Sequence, residues 1–326
     1  APVGFLRRSI GTGNSSGPWK FRNDGMKKPR SKPDTRKPNP RQPSRPGTPR
    51  LPRPAEAADR PVQGRPTGSP GGPRRHRAAS EETYHGLRAC EALAARRRDE
   101  IVRVYLTAAR KPTFAALLTW CAANHKGFQI VPEENLRRIS GATHHEGIAI
   151  LAKAIRRQSF ADLLAAIEAG RCPGPLLYLD GVENPHNLGS ILRTAAHFGV
   201  AAVVGKAGEL PPLSPAAVRV AEGAAEIVPV CDLAEPAADL RRLAAAGFAI
   251  VVASSHKGGP PAAAPLGGKT VLVLGSEGRG VSSAIARAAT AEVCIPGSGA
   301  VESLNVSVAA GILLAEAWRQ RHIPGG

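Results

Sequence analysis

The sequence GSGAVESLNVSVAA, residues 297–310, decides the fold that we expect for the C-terminal half of this chain. It follows a short apolar run, Glu292–Pro296, that is typical of a strand, and it leads into a long apolar helix. A strand, a loop of small residues and a helix N-terminus together allow a ligand to approach backbone N–H groups. The stretch therefore predicts either a ligand-binding loop or a simple helix cap formed by Ser303 and Asn305.

Apolar strands alternate with helices through the segment that precedes this stretch, from residue 176 onward. Uninterrupted runs rich in Val, Ile and Leu between helices predict an α/β fold with a parallel sheet covered on both faces. In such sheets ligands bind at the carboxyl ends of the strands. The expected strands are Leu176–Leu179, Ala201–Val204, Ile227–Val230, Phe248–Ala253, Thr270–Leu274 and Glu292–Ile295, and the expected helices include Asn187–Phe198, Val218–Glu226, Ala237–Ala246 and Leu304–Arg319.

Two further loops with polar residues follow expected strands. The first, DGVENPHNLGSILRT at residues 180–194, places Asn187 near a helix start and Arg193 about two turns into that helix. A guanidinium among apolar neighbours either extends along the surface or clamps a phosphate or carboxylate. The second, LGSEGRG at residues 274–280, surrounds Glu277 with glycines, and its spacing matches neither a dinucleotide fingerprint nor a P-loop. Together the three loops predict one ligand site at the sheet edge.

The first 80 residues differ in composition from the rest of the chain. They contain 19 Lys and Arg against 4 Asp and Glu, so +15 of the net charge of +18 lies there, with 15 of the 30 prolines. So few large apolar residues cannot offset the entropy of ordering, and we expect residues 1–82 to be a disordered basic tail. A flexible polycation suggests nucleic acid or an anionic surface as a partner, because neutralising phosphates releases counterions. A tail that only improves solubility is the alternative.

Between the tail and the parallel-sheet segment, residues 83–157 predict a compact α/β module of short elements. We expect a domain boundary near residue 157, so that the parallel-sheet segment would run from 158 to 326. The expected helices are Leu87–Arg97, Phe114–Asn124 and Glu133–Ile139, and the expected strands are Ile101–Leu106, Phe128–Val131 and Gly147–Leu151.

The sequence also indicates the cellular compartment of the protein and whether to expect a membrane span or a metal site. The five cysteines form no C-x-x-C pair, which favours free thiols in a reducing cytoplasm. No run of about 18 apolar residues occurs, so no membrane span is expected. The motif Thr143–Glu146 contains two adjacent histidines, whose side chains should point in different directions. Since no Cys or further His supports them, we expect a polar turn there and no metal.

The three loops, in this order, resemble the three motifs of the SpoU-type (TrmH-like) RNA ribose 2′-O-methyltransferases of the SPOUT superfamily. The matching segments are residues 184–195, 274–280 and 295–307, and the likeness covers about residues 176–320. The module at 83–157 resembles, more weakly, the L30e-like substrate-binding domain that often precedes this catalytic domain. The resemblance implies a parallel sheet with a C-terminal trefoil knot, S-adenosyl-L-methionine as cofactor, and a homodimer whose active site is completed across the interface.

The resemblance also implies roles for individual residues. Gly275, Ile295 and Leu304 would hold the cofactor through their backbone, and Ser254 and Pro296 would line the same pocket. Arg193 matches the arginine proposed to act on the target 2′-hydroxyl, and the remaining polar motif positions are Asn187, Glu277, Ser303 and Asn305. The chain departs from the family at Gly297, where Met is usual, and at Ser276, where Asn is common.

The expected activity is therefore transfer of a methyl group from S-adenosylmethionine to a ribose 2′-hydroxyl of tRNA or rRNA. The main alternative is a non-catalytic RNA-binding or ribosome-associated protein that retains the fold. That alternative predicts loss of Arg193, Glu277 or Asn305, and all three are present. A methyltransferase acting on a base nitrogen is a further alternative, against which the Ser303–Asn305 motif argues.

Overall fold

A computed structural model describes residues 80–172 and 174–323 of the chain. The expected basic tail lies outside these residues except at its C-terminal end. There the first strand, β1, covers Glu81–His85, so ordered structure begins two residues before the expected start at 83.

The first part of the described chain is a four-stranded sheet with three helices. Its strand order is β1-β4-β2-β3, in which β1 and β2 run antiparallel to β4 while β3 runs parallel to β2. The elements after β1 are α1 (Leu87–Arg96), β2 (Ile101–Leu106), α2 (Ala115–Ala123), β3 (Gly127–Ile130), α3 (Glu133–Ser140) and β4 (Ile148–Lys153). All six agree with the predicted elements to within about two residues.

The second part is a seven-stranded sheet in which every neighbouring pair is parallel, as predicted, with strand order β11-β9-β10-β6-β7-β8-β5. Its strands are β5 (Gln158–Ser159), β6 (Leu176–Asp180), β7 (Ala202–Lys206), β8 (Val230–Leu233), β9 (Ala249–Ser254), β10 (Thr270–Gly275) and β11 (Ala291–Cys294). Its helices are α4 (Phe160–Glu168), α5 (Pro185–His197), α6 (Pro215–Val220), α7 (Pro236–Ala245), α8 (Ser283–Ala286) and α9 (Val306–His322).

Side chains of the seven-stranded sheet alternate between two buried cores, as the period of a strand requires. Leu177 and Leu179 of β6 pack on the side of α5 and α9, in a core that continues into the four-stranded sheet. Leu176 and Tyr178 pack on the other side, with α4, α7 and α8. This explains why the strands read as continuous apolar runs. Within residues 80–172 and 174–323, no helix is long and apolar enough to cross a membrane.

One predicted pair of elements was wrong. The helix expected at Val218–Glu226 is α6, which starts earlier at Pro215, followed by a separate 3-10 turn at Ala224–Glu226. Gly223, with a φ of +89°, interrupts the helix. The strand expected at Ile227–Val230 consequently lies three residues later, in β8, and Ile227 is 51% exposed in the connecting loop.

The two sheets belong to one compact unit, and a buried ion pair joins them. Arg97, just after α1, donates from Nε to Oε2 of Glu226 at 2.6 Å and from Nη2 to Oε1 at 2.8 Å. The Glu226 side chain is 1% exposed. A bidentate guanidinium–carboxylate pair fixes distance and orientation together. Arg97 therefore holds α1 against the 3-10 turn that contains Glu226.

Removal of the Arg97 guanidinium tests this contact. Arg97→Met keeps an unbranched side chain but leaves the Glu226 carboxylate buried without its partner, which should lower the free energy of unfolding by about 3 kcal/mol. Arg138→Met is the matched control, since Arg138 pairs with Glu134 on the surface and should lose less than about 1 kcal/mol. Urea unfolding measures both. Equal losses in the two variants would contradict the proposed importance of the buried pair.

Candidate active site

Three loops meet at the carboxyl edge of the seven-stranded sheet, as the sequence predicted. They follow β6, β10 and β11, and β9 ends at the same edge. The register places Gly275 of β10 beside Asp180 of β6, and Cys294 of β11 beside Ser254 of β9. Parallel strands that end level with one another bring their following loops close together.

A single carboxylate oxygen, Oε1 of Glu277, connects all three loops. It accepts hydrogen bonds from Asn305 Nδ2 at 2.6 Å, from Asn187 Nδ2 at 3.2 Å and from the backbone N–H of Val306 at 3.4 Å. Asn305 Nδ2 also lies 3.2 Å from Oδ1 of Asn187, which accepts from it. Hydrogen bonds to an ionised acceptor are stronger than neutral ones. We call Asn187, Glu277 and Asn305 the carboxylate cluster.

Asn305 also caps the last helix. Its Oδ1 accepts from the backbone N–H of Ser307 at 2.9 Å and from the Ser307 hydroxyl, while its Nδ2 donates to Glu277. The cap that the sequence predicted is therefore present, and the same side chain also contacts Glu277. The cap fixes which end of the amide faces Glu277.

Asn187 does not have the capping role that the sequence suggested for it. Asn184 is the N-cap of α5, accepting at 2.9 Å from the N–H of His186, and Pro185 occupies the first helical position. Asn187 therefore lies in the first turn, where its side chain is free to reach Glu277. The Asn-Pro pair was the signal for the earlier helix start.

The glycine-rich loop after β10 folds back on its own strand. A Cβ at Gly275 would lie only 2.1 Å from the carbonyl carbon of Gly280, and Gly280 has a φ of +63°. The N–H of Gly280 donates to the carbonyl of Ser276 at 2.9 Å. Gly275 is therefore required by the loop itself, whatever its backbone binds.

Two contacts that the sequence did not reveal hold this loop beside the loop after β6. Asp180, a buried residue at the end of β6, accepts at 2.6 Å from the N–H of Ser282. Arg279 forms a 2.7 Å ion pair with Glu183. An acidic residue at the carboxyl end of a buried strand was the available signal for the first contact.

The residues expected at the cofactor lie along the same edge. Ser254 Oγ accepts from the N–H groups of His256 and Lys257, at 3.2 and 3.0 Å, and so shapes the turn after β9. Ile295 is half-buried, Pro296 is exposed, and Leu304 is 42% exposed although it precedes an apolar helix. Ser303 is also exposed, and in the part of the chain that the structure describes it makes no hydrogen bond.

Arg193 does not join the carboxylate cluster. Six residues separate it from Asn187 on α5, which corresponds to a rotation of about 120° around the helix. Its exposed side chain lines a separate cavity of about 630 Å³. Within residues 80–172 and 174–323 it has no hydrogen bond or ion pair. Of the five expected catalytic residues, a single chain therefore brings together the three of the carboxylate cluster. Ser303 is close to Asn305 in sequence, and Arg193 lies apart from the cluster.

The adjacent histidines that could have suggested a metal belong to a structural turn. The N–H of Gly147 donates to Nδ1 of the buried His145 at 3.2 Å, and Nε2 of His145 lies 3.3 Å from Glu133. Glu146 accepts at 2.6 Å from the N–H of Leu87 at the start of α1. These side chains join α1, α3 and β4, as the expected polar turn implies.

Comparison with known proteins assigns both parts of the described chain to one family. Residues 174–315 match the model of the SpoU rRNA Methylase family, and residues 85–158 match the model described as RNA 2′-O ribose methyltransferase substrate binding. The chain is 39% identical over 249 residues, 76% of its length and 70% of the relative, to the uncharacterized tRNA/rRNA methyltransferase YfiF of Escherichia coli O157:H7.

Two further relatives agree with this assignment. The 23S rRNA (guanosine-2′-O-)-methyltransferase RlmB of Ralstonia nicotianae is 37% identical over 62% of this chain and 81% of its own length. The fold resembles the crystal structure of the AdoMet-bound rRNA methyltransferase from Sinorhizobium meliloti, with a TM-score of 0.61 and 24% identity over 74% of this chain and 88% of that one. The chain belongs to the SpoU rRNA methylase family, whose members are S-adenosylmethionine-dependent RNA ribose 2′-O-methyltransferases.

Substitution of Asn305 by Asp separates its two roles. Asp caps a helix as well as Asn does, but it places a second carboxylate beside Glu277. At pH 7 we expect Asn305→Asp to lower the free energy of unfolding by about 1 kcal/mol or more. The two carboxylates repel each other only while both are ionised, so the loss should shrink as the pH falls toward about 5.

Asn184→Asp is the control for this prediction, because Asn184 is also an N-cap and hydrogen-bonds to His186 rather than to an acidic group. It should be close to neutral at every pH between about 5 and 8. Thermal or urea unfolding measured across this pH range compares the two variants. The same small effect in both would show that Asn305 acts only as a cap.

Proposed function

We propose that this chain transfers the methyl group of S-adenosylmethionine to a ribose 2′-hydroxyl of RNA. The observation that carries the proposal is the carboxylate cluster, which joins the three family motifs at the carboxyl edge of a parallel sheet. The cofactor would lie against the backbone of Gly275, Ile295 and Leu304. Ser254 and Pro296, on the neighbouring loops of the same edge, would complete its pocket.

The residues fit this cofactor in their chemistry. Loops after β9, β10 and β11 present backbone groups and small residues at a sheet edge, where an adenosine and an amino-acid group can form hydrogen bonds. The exposed side chain of Leu304 offers apolar surface at the same place. When bound, S-adenosylmethionine supplies an electrophilic methyl group on a sulfonium.

The reaction moves one methyl group and one proton. Bound S-adenosylmethionine would supply its methyl group to the ribose oxygen and retain the electron pair of the carbon–sulfur bond, while the hydroxyl proton would leave to a base or water. A ribose hydroxyl is a poor nucleophile and must lose this proton as it attacks. Asn187, Glu277, Ser303 and Asn305 would position the cofactor and the sugar. Positioning alone contributes several kcal/mol to lowering a barrier.

Arg193 would orient the substrate rather than act as a free base. An arginine side chain stays protonated in proteins, so it cannot readily accept a proton. Its planar fork instead suits a phosphate oxygen next to the target ribose. We therefore assign Arg193 to the RNA backbone and the hydroxyl, with deprotonation assisted by surrounding groups.

The separation of Arg193 from the carboxylate cluster supports a homodimer. One face of α9 exposes the apolar side chains of Val308 and Ile312, which lie one turn apart, and the partly exposed Trp318, which stacks on His322, lies further round the same helix. Exposed apolar surface of this kind marks an interaction site, and a two-fold dimer would bury the same face of each copy. A second copy can then bring its Arg193 to a cluster from which the first copy's own Arg193 is distant.

Four further properties belong to this proposal. The strand order, in which β11 lies outside β9 while α9 packs against α5, supports the expected C-terminal trefoil knot. The two sheets lie on either side of residue 157, which supports the expected domain boundary there. The basic segment 1–82 would add affinity for RNA. The five cysteines are free thiols, which suits a cytoplasmic protein.

The substrate would be a structured RNA. The relative from Ralstonia nicotianae is named for a guanosine of 23S rRNA, and that from Escherichia coli for tRNA or rRNA. Incubating the full chain with labelled S-adenosylmethionine and separate rRNA and tRNA pools, then mapping 2′-O-methyl groups, tests the function. We expect methylation at a defined ribose. Binding of RNA without transfer to either pool would favour the non-catalytic alternative.

Arg193 variants test the role of the guanidinium. Arg193→Ala should lower kcat/KM by about a hundredfold or more, because orientation of the hydroxyl is lost. Arg193→Lys keeps the positive charge but lacks the planar guanidinium, so its kcat/KM should lie between those of the native chain and Arg193→Ala. Arg287→Ala, an exposed arginine on the far side of the sheet, is the control. Methyl transfer measured between about pH 6 and 9 gives the comparison, and unchanged turnover in either Arg193 variant would overturn the assignment.

A charge on the exposed face of α9 tests the dimer. Ile312→Asp should yield folded monomers that transfer no methyl group, because the buried interface cannot accept an unpaired carboxylate. Phe128→Asp, at a similarly exposed apolar residue on β3, should leave the dimer intact. Sedimentation equilibrium measures the mass. A native chain that is monomeric while it is active would contradict the shared site.

A further inference from the structure

The cavity that Arg193 lines lies at the seam between the two sheets. Arg88 of α1 contributes to its wall from the four-stranded part, while Arg193 and His197 contribute from α5 and Glu222 from the loop after α6. Its volume of about 630 Å³ lies within the range of small-ligand sites. Neither Arg88 nor His197 belongs to the motifs described above.

The cavity has a cationic part and an apolar part. Arg88 and Arg193 are its arginines, and among the residues that the structure describes the Arg88 side chain pairs only with Glu91, in an exposed ion pair at 3.0 Å. A pair of this type is weak and can be exchanged for a phosphate. Phe198 and Ile227 supply apolar surface, and Ile227 is an exposed large apolar side chain.

The walls of the cavity are held in a fixed relation. A Cβ at Gly223 would lie 2.8 Å from the Cβ of Ala92 and 3.0 Å from the carbonyl oxygen of Arg88, so the loop packs directly on α1. The buried Arg97–Glu226 pair lies in the same seam. This close contact between the two parts of the chain therefore fixes the position of Arg88 relative to Arg193.

Backbone strain is present at the same place. Glu222 has a φ of +52°, a left-handed conformation that is costly for a residue with a side chain. Strain of this kind persists where the surrounding structure enforces it and is concentrated at functional sites. Glu222 lines the cavity, and its carboxylate would be an acceptor there for N–H groups of a base.

We propose that this cavity binds one nucleotide of the RNA substrate, with its phosphate at Arg88 and Arg193 and its base against Phe198 and Ile227. A nucleotide combines an anionic group with a flat, largely apolar ring that carries N–H donors, which matches this division of the walls. The proposal rests on the proposed function for its substrate class. It makes Arg88, outside the methyltransferase motifs, a substrate-binding residue of the site.

Kinetics with Arg88 variants test the proposal. Arg88→Gln should raise the KM for RNA about tenfold, the loss expected for one charge-assisted hydrogen bond, while the affinity for S-adenosylmethionine stays unchanged. Arg88→Lys should recover part of the loss. Arg96→Gln, an exposed arginine on the same helix that does not line the cavity, is the control. Equal KM values for the Arg88→Gln and Arg96→Gln variants would overturn the proposal.

A photo-crosslink locates the RNA without requiring methyl transfer. The full chain carrying p-benzoylphenylalanine at position 227 is irradiated with the rRNA and tRNA pools, and a chain carrying it at the exposed position 168 of α4 serves as the control. We expect an RNA adduct at 227 in clear excess over 168. Adducts in equal yield would refute the site, whereas an adduct at 227 in a chain that transfers no methyl group would retain it and reject the proposed function.

Discussion

The hydrogen bonds to Oε1 of Glu277 unite parts of the chain that are far apart in sequence. Asn187 and Asn305 are 118 residues apart, yet both donate to this oxygen, which lies on a third loop between them in sequence. The strands bring the three loops to one edge of the sheet, but the sheet determines only the position at which each loop starts. The Glu277 carboxylate and the cap of α9 hold the remainder of the loops in place, so the shape of the proposed cofactor pocket depends on this carboxylate.

This arrangement divides the proposed site into two halves within one chain. The carboxylate cluster lies with the loops after β6, β10 and β11, whereas Arg193 lies with the cavity at the seam. In the homodimer that we propose, the exposed apolar side chains of α9 would be buried, and the two halves of the site would be brought together. The buried Arg97–Glu226 pair then matters for function, because it orients the four-stranded part toward the half that contains Arg193.

Local sequence patterns predicted most of the fold because its strands are apolar on both faces and its helices have clear periods. These predictions were wrong where contacts between residues distant in sequence determine the local structure. Strand β1, with the sequence EETYH, is ordered by pairing with β4 some 70 residues later. The displaced β8 follows from the conformation of Gly223. The motif resemblance supplied the residues of the proposed site, but the separation of Arg193 from the cluster depends on the folded chain and could not be predicted from sequence spacing.

The affinity for S-adenosylmethionine of a Glu277→Ala variant, measured by isothermal titration calorimetry, tests the central claim most directly. Glu183→Ala is the matched control, since Glu183 is an exposed carboxylate at the same sheet edge that pairs with Arg279 instead. We expect the affinity of Glu277→Ala for S-adenosylmethionine to fall at least about tenfold, because three N–H groups lose their shared acceptor and the loops separate. The control should bind as the native chain does. Native affinity in Glu277→Ala would contradict the claim that this carboxylate forms the pocket.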